Sequence, residues 1–306
     1  MASLLLLANP AASGFTGGLH RDVVTTLRSA YDVEAAWPQS PEDARAHAAA
    51  AVVAGIDIVA AFGGDGVVHH VANGLMGSPT ALGVIPAGTT NVVARVLGLP
   101  HKPMAATEFL ATVPAAKRIP VAELQTSAFT GASDKRVAVF AAGAGLDAEV
   151  VQIAEQEPYR KYSFGSLHYA RTALNVLWNE FRGRAPNMRV AAGDRSADAV
   201  AVFVQIHEMY SYFGRLPLRL GGHVAGTLTA LVVQELPPQR AFNVLARALT
   251  TGGVGGVPGC ELWTGVENLS ITAEPPTALQ ADGELLGIMS EARITAAADG
   301  LLVAAP

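Results

Sequence analysis

Three loops in the N-terminal third combine glycine with small polar residues, and each follows an apolar run. They are residues 9–18, residues 63–66 with the sequence Gly-Gly-Asp-Gly, and residues 86–91. Glycine lets backbone N–H groups approach a phosphate closely, and a helix that begins after such a loop adds positive potential at its N terminus. Serine and threonine hydroxyls can also donate to phosphate oxygens. The pattern therefore favours phosphate binding at the second and third loops, and the first loop follows a strand in the same way.

The carboxylate of the second loop, Asp65, indicates a metal-assisted role, because Mg²⁺ commonly bridges a protein carboxylate and substrate phosphates. The alternative is a tight turn in which Asp65 caps a helix. The third loop leaves a similar choice open. Asn91 either bonds a nucleotide or belongs to an ordinary turn that caps the next helix.

A further acidic element lies near the C terminus, where Asp282 and Glu284 flank Gly283. In such a pair, one carboxylate can hydrogen-bond or face a metal while the other acts as a general base. Asp-Gly is also the most common signal for a two-residue β-hairpin loop. The sequence therefore leaves a catalytic pair and a structural hairpin as alternatives at this position.

The elements around the three N-terminal loops alternate between strands and helices. A helix is expected after Ser40, which is suited to an N-cap, with Pro41 in its first turn. The other predicted elements are strands at 3–8, 33–37, 56–62 and 81–85 and helices at 19–30, 67–75 and 92–97. This order predicts a parallel sheet covered by helices. Ligands bind such sheets at the carboxyl ends of the strands, where all three loops lie.

Short strands dominate after Pro114. The predicted strands are 118–124, 136–142, 188–192, 199–206 and 227–233, with several more after Cys260, and the predicted helices are 159–181 and 239–249. The pattern predicts a mainly antiparallel, β-sandwich-like second domain. We place the N-terminal α/β nucleotide-binding domain at residues 1–116 and the β-rich domain at 117–296. The C-terminal residues 297–306 can return to the first domain.

Composition excludes several classes of protein. The chain has 306 residues, 50% of them hydrophobic and 15% charged, which excludes disorder and coiled coil as the main architecture. The net charge of −5 argues against nucleic acid as a partner. A single cysteine excludes an internal disulfide and a cysteine zinc cluster. No apolar run approaches the ~18 residues of a membrane-spanning helix, so we expect no transmembrane segment.

Taken together, the motifs resemble the superfamily of bacterial diacylglycerol kinases and sphingosine kinases. The shared pattern comprises Asn-Pro and Ser-Gly in the first loop, the Gly-Gly-Asp-Gly loop and Gly-Thr-Thr-Asn in the third. It continues with Gly-Ala-Gly-Leu-Asp-Ala at 143–148 and with Leu-Gln-Ala leading into Asp-Gly-Glu at 282–284. The motifs follow the family's order and cover nearly the whole chain, so the combination is more specific than any one of them.

This resemblance implies an ATP-dependent lipid kinase with ATP and Mg²⁺ as cofactors and a lipid-binding second domain. Glu284 matches the family's candidate general base, which takes the proton of the lipid hydroxyl, and Asp65 helps to position Mg²⁺-ATP. The residues that the resemblance places at the nucleotide are Asn9, Pro10, Ser13, Gly63, Gly64, Asp65, Gly66, Gly88, Thr89, Thr90, Asn91 and Asp282. Residues 221–230 contain no carboxylate, so the structural Mg²⁺ site of some members is expected to be absent.

The chain departs from the family pattern at Val67, His70 and Val92. Two alternatives therefore stay open: an NAD kinase-like activity, since NAD kinases share the glycine-aspartate loop, and a nucleotide- or lipid-binding member without catalysis. The resemblance also implies a role in phospholipid metabolism and a diacylglycerol-like substrate at the membrane surface. We accordingly expect a cytoplasmic protein with peripheral membrane association, and the sequence leaves room for a homodimer.

Overall fold

The computed structural model describes residues 1–112, 116–129, 134–156, 183–250 and 253–306. The chain divides into two compact units. Unit 1 comprises Met1–Ile119 and Asp299–Pro306, and unit 2 comprises Pro120–Ala298. The predicted helix at 159–181 lies outside the described residues.

Unit 1 is an α/β structure. Its elements are β1 (Ala2–Ala8), α1 (Gly17–Arg28), β2 (Tyr31–Ala36), α2 (Pro41–Val53), β3 (Ile58–Gly63), α3 (Asp65–Leu75), β4 (Ala81–Pro86), α4 (Val92–Val96) and α5 (Pro103–Thr112). The strands pair in parallel in the order β2-β1-β3-β4, and Val303 adds a parallel pairing with Leu82 of β4. The predicted α/β domain with a parallel sheet is thereby confirmed.

The local sequence explains why two elements of unit 1, β1 and α2, form where they do. The leucines of β1 are buried on both faces, as expected for a parallel strand covered by helices. At the start of α2 the Ser40 hydroxyl accepts the backbone N–H of Asp43 at 3.1 Å, and Pro41 occupies the first turn. These two residues therefore form the predicted helix start.

Unit 2 is mainly antiparallel. The remaining elements are β5 (Lys117–Thr126), β6 (Arg136–Ala138), β7 (Ala141–Gly145), α6 (Leu146–Gln156), β8 (Met188–Ala192), β9 (Arg195–Ala199), β10 (Ala201–Gln205), β11 (Ser211–Phe213), β12 (Leu216–Leu218), β13 (Leu228–Val233), α7 (Pro238–Thr250), β14 (Cys260–Val266), β15 (Asn268–Ala281) and β16 (Glu284–Val303). Strands β5 and β16 have residues in both units. The strand order in unit 2 is β14-β13-β10-β7-β15-β16, and β8 joins β15. Side chains of these strands share one hydrophobic core, which confirms the predicted fold class.

One predicted strand is interrupted. Residues 136–142 form two short strands, β6 and β7, with a break at Val139 and Phe140. The backbone N–H groups of both residues donate to the side chain of Asp282 instead of to a neighbouring strand. A tertiary contact therefore overrides the local strand pattern.

None of the helices in the described ranges has the length and apolar character needed to cross a bilayer.

Candidate functional site

The Gly-Gly-Asp-Gly loop joins β3 to α3. Gly63 ends the buried strand, Gly64 is the N-cap of the helix, and Asp65 is its first residue. Within the described chain, no side chain caps the start of α3. Since the first N–H groups of a helix lack intrahelical partners and carry the positive end of its dipole, this N terminus is suited to bind an anion.

Glycine is required where the three loops of unit 1 meet. A Cβ at Gly88 would lie 2.6 Å from the Cα of Gly64, closer than such atoms approach in proteins. In the first loop, the Gly14 N–H donates to the Ala87 carbonyl at 2.8 Å, and a Cβ at Gly14 would lie 3.0 Å from that oxygen. The structure therefore brings the three sequence-predicted loops together by backbone contact.

Asp65 links the second loop to the third. Its two carboxylate oxygens accept the backbone N–H groups of Val92 at 2.9 Å and Val93 at 3.1 Å, which open the short helix α4. Asp65 thus caps a helix 27 residues further along the chain, not the helix on which it lies. Each carboxylate oxygen has two lone pairs, so this cap is compatible with a hydrated cation on the same group.

Asn91 braces its own loop. Its backbone is left-handed, with φ of 50°, and its side-chain amide both accepts from the Gly88 N–H at 2.9 Å and donates to the Gly88 carbonyl at 2.8 Å. The side chain makes no capping bond to α4, because Asp65 occupies that role. Asn91 therefore acts on the candidate phosphate site by holding Gly88 in place.

Two hydroxyls lie at the surface of these loops. Ser13 Oγ and Thr89 Oγ1 are 3.4 Å apart on exposed residues of the first and third loops. Asn9 is turned to its own loop, where Oδ1 accepts the Ala11 N–H at 2.9 Å. Pro10 is exposed. Ser13 and Thr89 are thus two side chains of the predicted nucleotide set that are placed to donate to an anion.

In unit 2 the Asp-Gly-Glu sequence forms a two-residue hairpin loop. Asp282 and Gly283 have positive φ values of 55° and 83°, as a type I′ turn requires, and Ala281 pairs with Glu284 across the two strands. The hairpin interpretation of this sequence is therefore the one observed. Glu284 follows the turn directly as the first residue of β16 and is half-buried.

The carboxylate of Asp282 is enclosed by backbone amides of unit 2. It accepts the N–H groups of Val139 at 2.7 Å, Phe140 at 2.8 Å and Ala141 at 3.2 Å, and the residue is only 4% exposed. The resemblance groups Asp282 with the nucleotide ligands, whereas the partners that the structure shows for its carboxylate are these three backbone N–H groups. Of the two acids that flank Gly283, Glu284 is the more accessible.

A buried polar network of Asp147, Tyr210 and Gln280 is hydrogen-bonded to the hairpin loop, and the sequence alone does not reveal it. Asp147 Oδ2 accepts from the Tyr210 hydroxyl and from Gln280 Nε2, each at 2.5 Å. Gln280 Oε1 accepts the Gly283 N–H at 2.9 Å, so the amide connects Asp147 to the turn. Enclosure of the carboxyl raises the pKa of Asp147 to about 6. A Cβ at Gly143 would lie 2.0 Å from Asp147 Oδ2, so a residue larger than glycine at position 143 would displace the Asp147 carboxylate from this network.

His207 contacts the backbone segment whose N–H groups donate to Asp282. Its Nε2 lies 2.9 Å from the carbonyl oxygen of Val139, whose N–H donates to Asp282. Burial lowers the pKa of His207 to about 4, with smaller opposing effects from Val139 and Asp282. The ring is therefore neutral at pH 7 and donates through Nε2. In the described ranges no three His, Cys, Asp or Glu side chains are grouped to hold a metal ion.

Comparisons with known proteins agree with these motifs. The family model of the diacylglycerol kinase catalytic domain matches residues 3–123. A diacylglycerol kinase of Mycobacterium tuberculosis is 51% identical over 69 residues, which are 22% of this chain and 22% of that protein. The match thus spans about a fifth of the relative's own length.

Solved structures extend the likeness in fold. A diacylglycerol kinase from Bacillus anthracis superimposes with a TM-score of 0.75 at 20% identity, over 99% of this chain and 97% of the other. An NAD kinase from Archaeoglobus fulgidus, solved in complex with ATP, gives a TM-score of 0.51 at 12% identity over 98% and 92%. At these identities the two structures establish the fold alone.

Proposed function

We propose that the chain, whose residues 3–123 match the diacylglycerol kinase catalytic domain, is a lipid kinase that transfers the γ-phosphoryl group of ATP to the hydroxyl of diacylglycerol or a related lipid. The observation that carries the proposal is the Asp65 contact. This carboxylate holds the start of α4 and thereby joins the uncapped N terminus of α3 to the Gly88 loop. A phosphate site made of backbone amides depends on such a fixed loop geometry.

Unit 1 fits the phosphates of a nucleotide. The uncapped α3 offers N–H donors, Ser13 and Thr89 offer hydroxyls, and Gly64 and Gly88 keep the backbone clear of side chains. In the proposed function these groups bind the phosphate oxygens. The loops contain one carboxylate, Asp65, and Mg²⁺ in kinases is commonly held by one or two carboxylates together with substrate phosphates and water. Bound Mg²⁺-ATP supplies the transferable phosphoryl group and neutralises its charge.

Glu284 is proposed to accept the proton of the lipid hydroxyl. A general base must be accessible to the acceptor and fixed in direction. Glu284 is half-buried and directly follows a turn that is held by Asp282 on the backbone of residues 139–141 and by Gln280 on Gly283. The hairpin therefore supplies the orientation, and Glu284 supplies the oxygen that receives the proton.

The lipid substrate implies that the protein works at a membrane surface. The contact with the bilayer that we propose is peripheral. The acceptor is taken to be an uncharged lipid alcohol, as in the family name of the matched domain.

The acceptor class is tested by following label from γ-labelled ATP with Mg²⁺ into a total lipid extract or, in a parallel reaction, into NAD. Wild-type protein is compared with Asp65→Asn, which keeps the side-chain volume but replaces one N–H acceptor by a donor. We expect label in an organic-phase product that Asp65→Asn reduces at least tenfold. Label in NADP with none in lipid would replace the proposal with an NAD kinase-like activity. ATP binding with no transfer to either acceptor would instead support the member without catalysis.

A further inference from the structure

Helix α7 of unit 2 carries two neighbouring apolar stripes, one packed and one exposed. Ala241, Val244 and Ala248 belong to the packed stripe and contact a hydrophobic core of this unit. The exposed stripe contains Phe242 and Leu245, whose side chains are 72% and 39% exposed. Because successive helix residues are rotated by about 100°, the two stripes lie on adjacent sides of α7. The helix therefore presents large apolar side chains to its surroundings.

A second element adds to this exposed apolar surface. Strand β12 packs against α7, and the Arg219 N–H that follows the strand donates to the Ala248 carbonyl of the helix at 3.1 Å. Leu216, the first residue of β12, is 53% exposed. Single exposed apolar residues are common, whereas groups of them on packed elements are typical of interaction sites. The group formed by Leu216, Phe242 and Leu245 is therefore a candidate docking surface.

The part of the chain that forms this surface is basic. Residues 209–260 contain four arginines and one acid, Glu235, although the whole chain has a net charge of −5. Glu235 forms an ion pair with Arg240. Arg215 is exposed in the turn that joins β11 to β12. Exposed apolar side chains together with an excess of arginine are complementary to a bilayer that carries anionic headgroups.

The same charge disfavours a second copy of the chain as the partner. A symmetric dimer joins identical patches, so it would bring the arginines of this region in both copies close together. Like charges that face each other across an interface oppose association. The anionic bilayer is therefore the partner that the charge favours.

Resting on the proposed function, we infer that the docking surface binds an anionic lipid bilayer. Phe242, Leu245 and Leu216 enter the boundary between headgroups and acyl chains, and Arg215 contacts the lipid phosphates. The inference assigns membrane binding to one face of unit 2. It leaves phosphoryl and proton transfer to the residues of the proposed site.

The apolar part of the surface is tested by sedimentation of the full chain with vesicles of phosphatidylcholine and phosphatidylglycerol in a two-to-one ratio. We expect Phe242→Gln to lower the affinity for these vesicles about tenfold, because the phenyl ring no longer buries its area in lipid. Glutamine favours helix, so α7 is retained. Val53→Gln, which changes a 90% exposed apolar side chain of α2, is the matched control and should bind as wild type does. Equal affinity of Phe242→Gln and wild type, or no binding by either, would overturn the inference.

The charge complementarity is tested by Arg215→Gln with the same vesicles and with phosphatidylcholine alone. We expect the variant to bind the anionic vesicles about fivefold more weakly, the value of one basic residue at such a surface, and to bind the neutral vesicles as wild type does. Arg28→Gln, at an exposed arginine of α1, is the matched control. An equal loss with both kinds of vesicle, or no loss with either, would reject the anionic bilayer as the partner.

Vesicle binding and phosphoryl transfer are separate measurements, so the inference and the proposed function can fail independently. If Phe242→Gln weakens binding to vesicles that contain diacylglycerol and wild type transfers no label to that lipid, the docking surface stands and the kinase proposal fails. If Phe242→Gln binds the vesicles and transfers label as wild type does, the docking surface is rejected and the kinase stands. A wild-type dimer that Phe242→Gln dissociates, without any binding to vesicles, would assign the surface to a second copy and overturn the inference.

Discussion

Gln280 donates a 2.5 Å hydrogen bond to Asp147, and the opposite atom of the same amide accepts the N–H of Gly283. One buried side chain thus connects an acid at the start of α6 to the turn that carries Glu284. Since Gln280 is only 2% exposed, neither bond is weakened by competition with water. The hairpin is therefore held by side-chain and backbone hydrogen bonds on both sides of its loop.

Replacing Gln280 with leucine is expected to lower kcat about tenfold with little change in KM for ATP. The substitution leaves the Gly283 N–H and one of the Asp147 contacts unpaired, so the turn loses its fixed orientation while unit 1 is unaltered. Steady-state kinetics with separate ATP and lipid titrations measures kcat and KM independently. Gln234→Leu, which removes a contact to Glu261 outside the hairpin, is the control. An equal effect of both substitutions would mean that Gln280 contributes only general stability.

Asp147 is expected to make stability fall as pH rises from about 4 to 6. Its pKa is about 6 in the folded protein, against an ordinary value of 3.8, so its contribution is full below pH 3.8 and lost as pH rises through 6. Relative to Asp147→Asn, the wild type should lose up to ~3 kcal/mol of unfolding free energy over this range. Urea unfolding at several pH values measures the difference. A difference between wild type and Asp147→Asn that does not change with pH would contradict the assignment.

His207 is expected to make the free energy of unfolding fall as pH decreases from 6.5 to about 4, the opposite direction to Asp147. Its folded pKa of about 4 lies below the ordinary 6.5, so its contribution is present above pH 6.5 and lost as pH falls through 4. His207→Gln keeps a donor toward the Val139 carbonyl but cannot be protonated. The variant should therefore gain up to ~3 kcal/mol relative to wild type between pH 6.5 and 4. The same urea experiment measures this gain, and a difference between His207→Gln and wild type that stays constant from pH 6.5 to 4 would contradict the prediction.

Gly88→Ala is expected to weaken ATP binding at least tenfold. The new Cβ would lie 2.6 Å from the Cα of Gly64, so the second and third loops must separate. Gly17→Ala is the matched control in unit 1, because a Cβ at Gly17 meets nothing within 4 Å. Calorimetric titration with ATP measures both variants. Wild-type affinity in Gly88→Ala would show that the close approach of the two loops is not needed for nucleotide binding.

Much of unit 1 could be predicted because its signals are local. Continuous apolar runs mark β1 and β3, Ser40 and Pro41 mark the start of α2, and the polar loops follow the strands directly. The approach of the three loops also follows from chain order, since parallel strands end at one edge of a sheet. The Asp-Gly signal likewise predicts the hairpin at 282–283 as one of two alternatives.

Long-range contacts explain what the sequence did not reveal. Asp282 reaches Val139, 143 positions earlier, and its carboxylate interrupts the strand predicted at 136–142. The Asp147 network joins residues separated by 63 and 133 positions, and only the glycine-rich sequence before Asp147 hinted at a close backbone approach there. Helix α6 was not predicted, because it begins immediately after β7 without an intervening loop.

The proposed transfer of a proton to Glu284 is tested most directly by the rate of label transfer from γ-labelled ATP to dioctanoylglycerol in Glu284→Gln. Glutamine keeps the size of the side chain and removes its basicity. The account predicts a fall in kcat of at least a hundredfold, in the range of general-base catalysis, with ATP affinity and thermal stability retained. Glu291→Gln, an exposed acid on the same strand, should transfer label at the wild-type rate. A Glu284→Gln variant that phosphorylates dioctanoylglycerol as fast as wild type would contradict the assignment of Glu284 as the base.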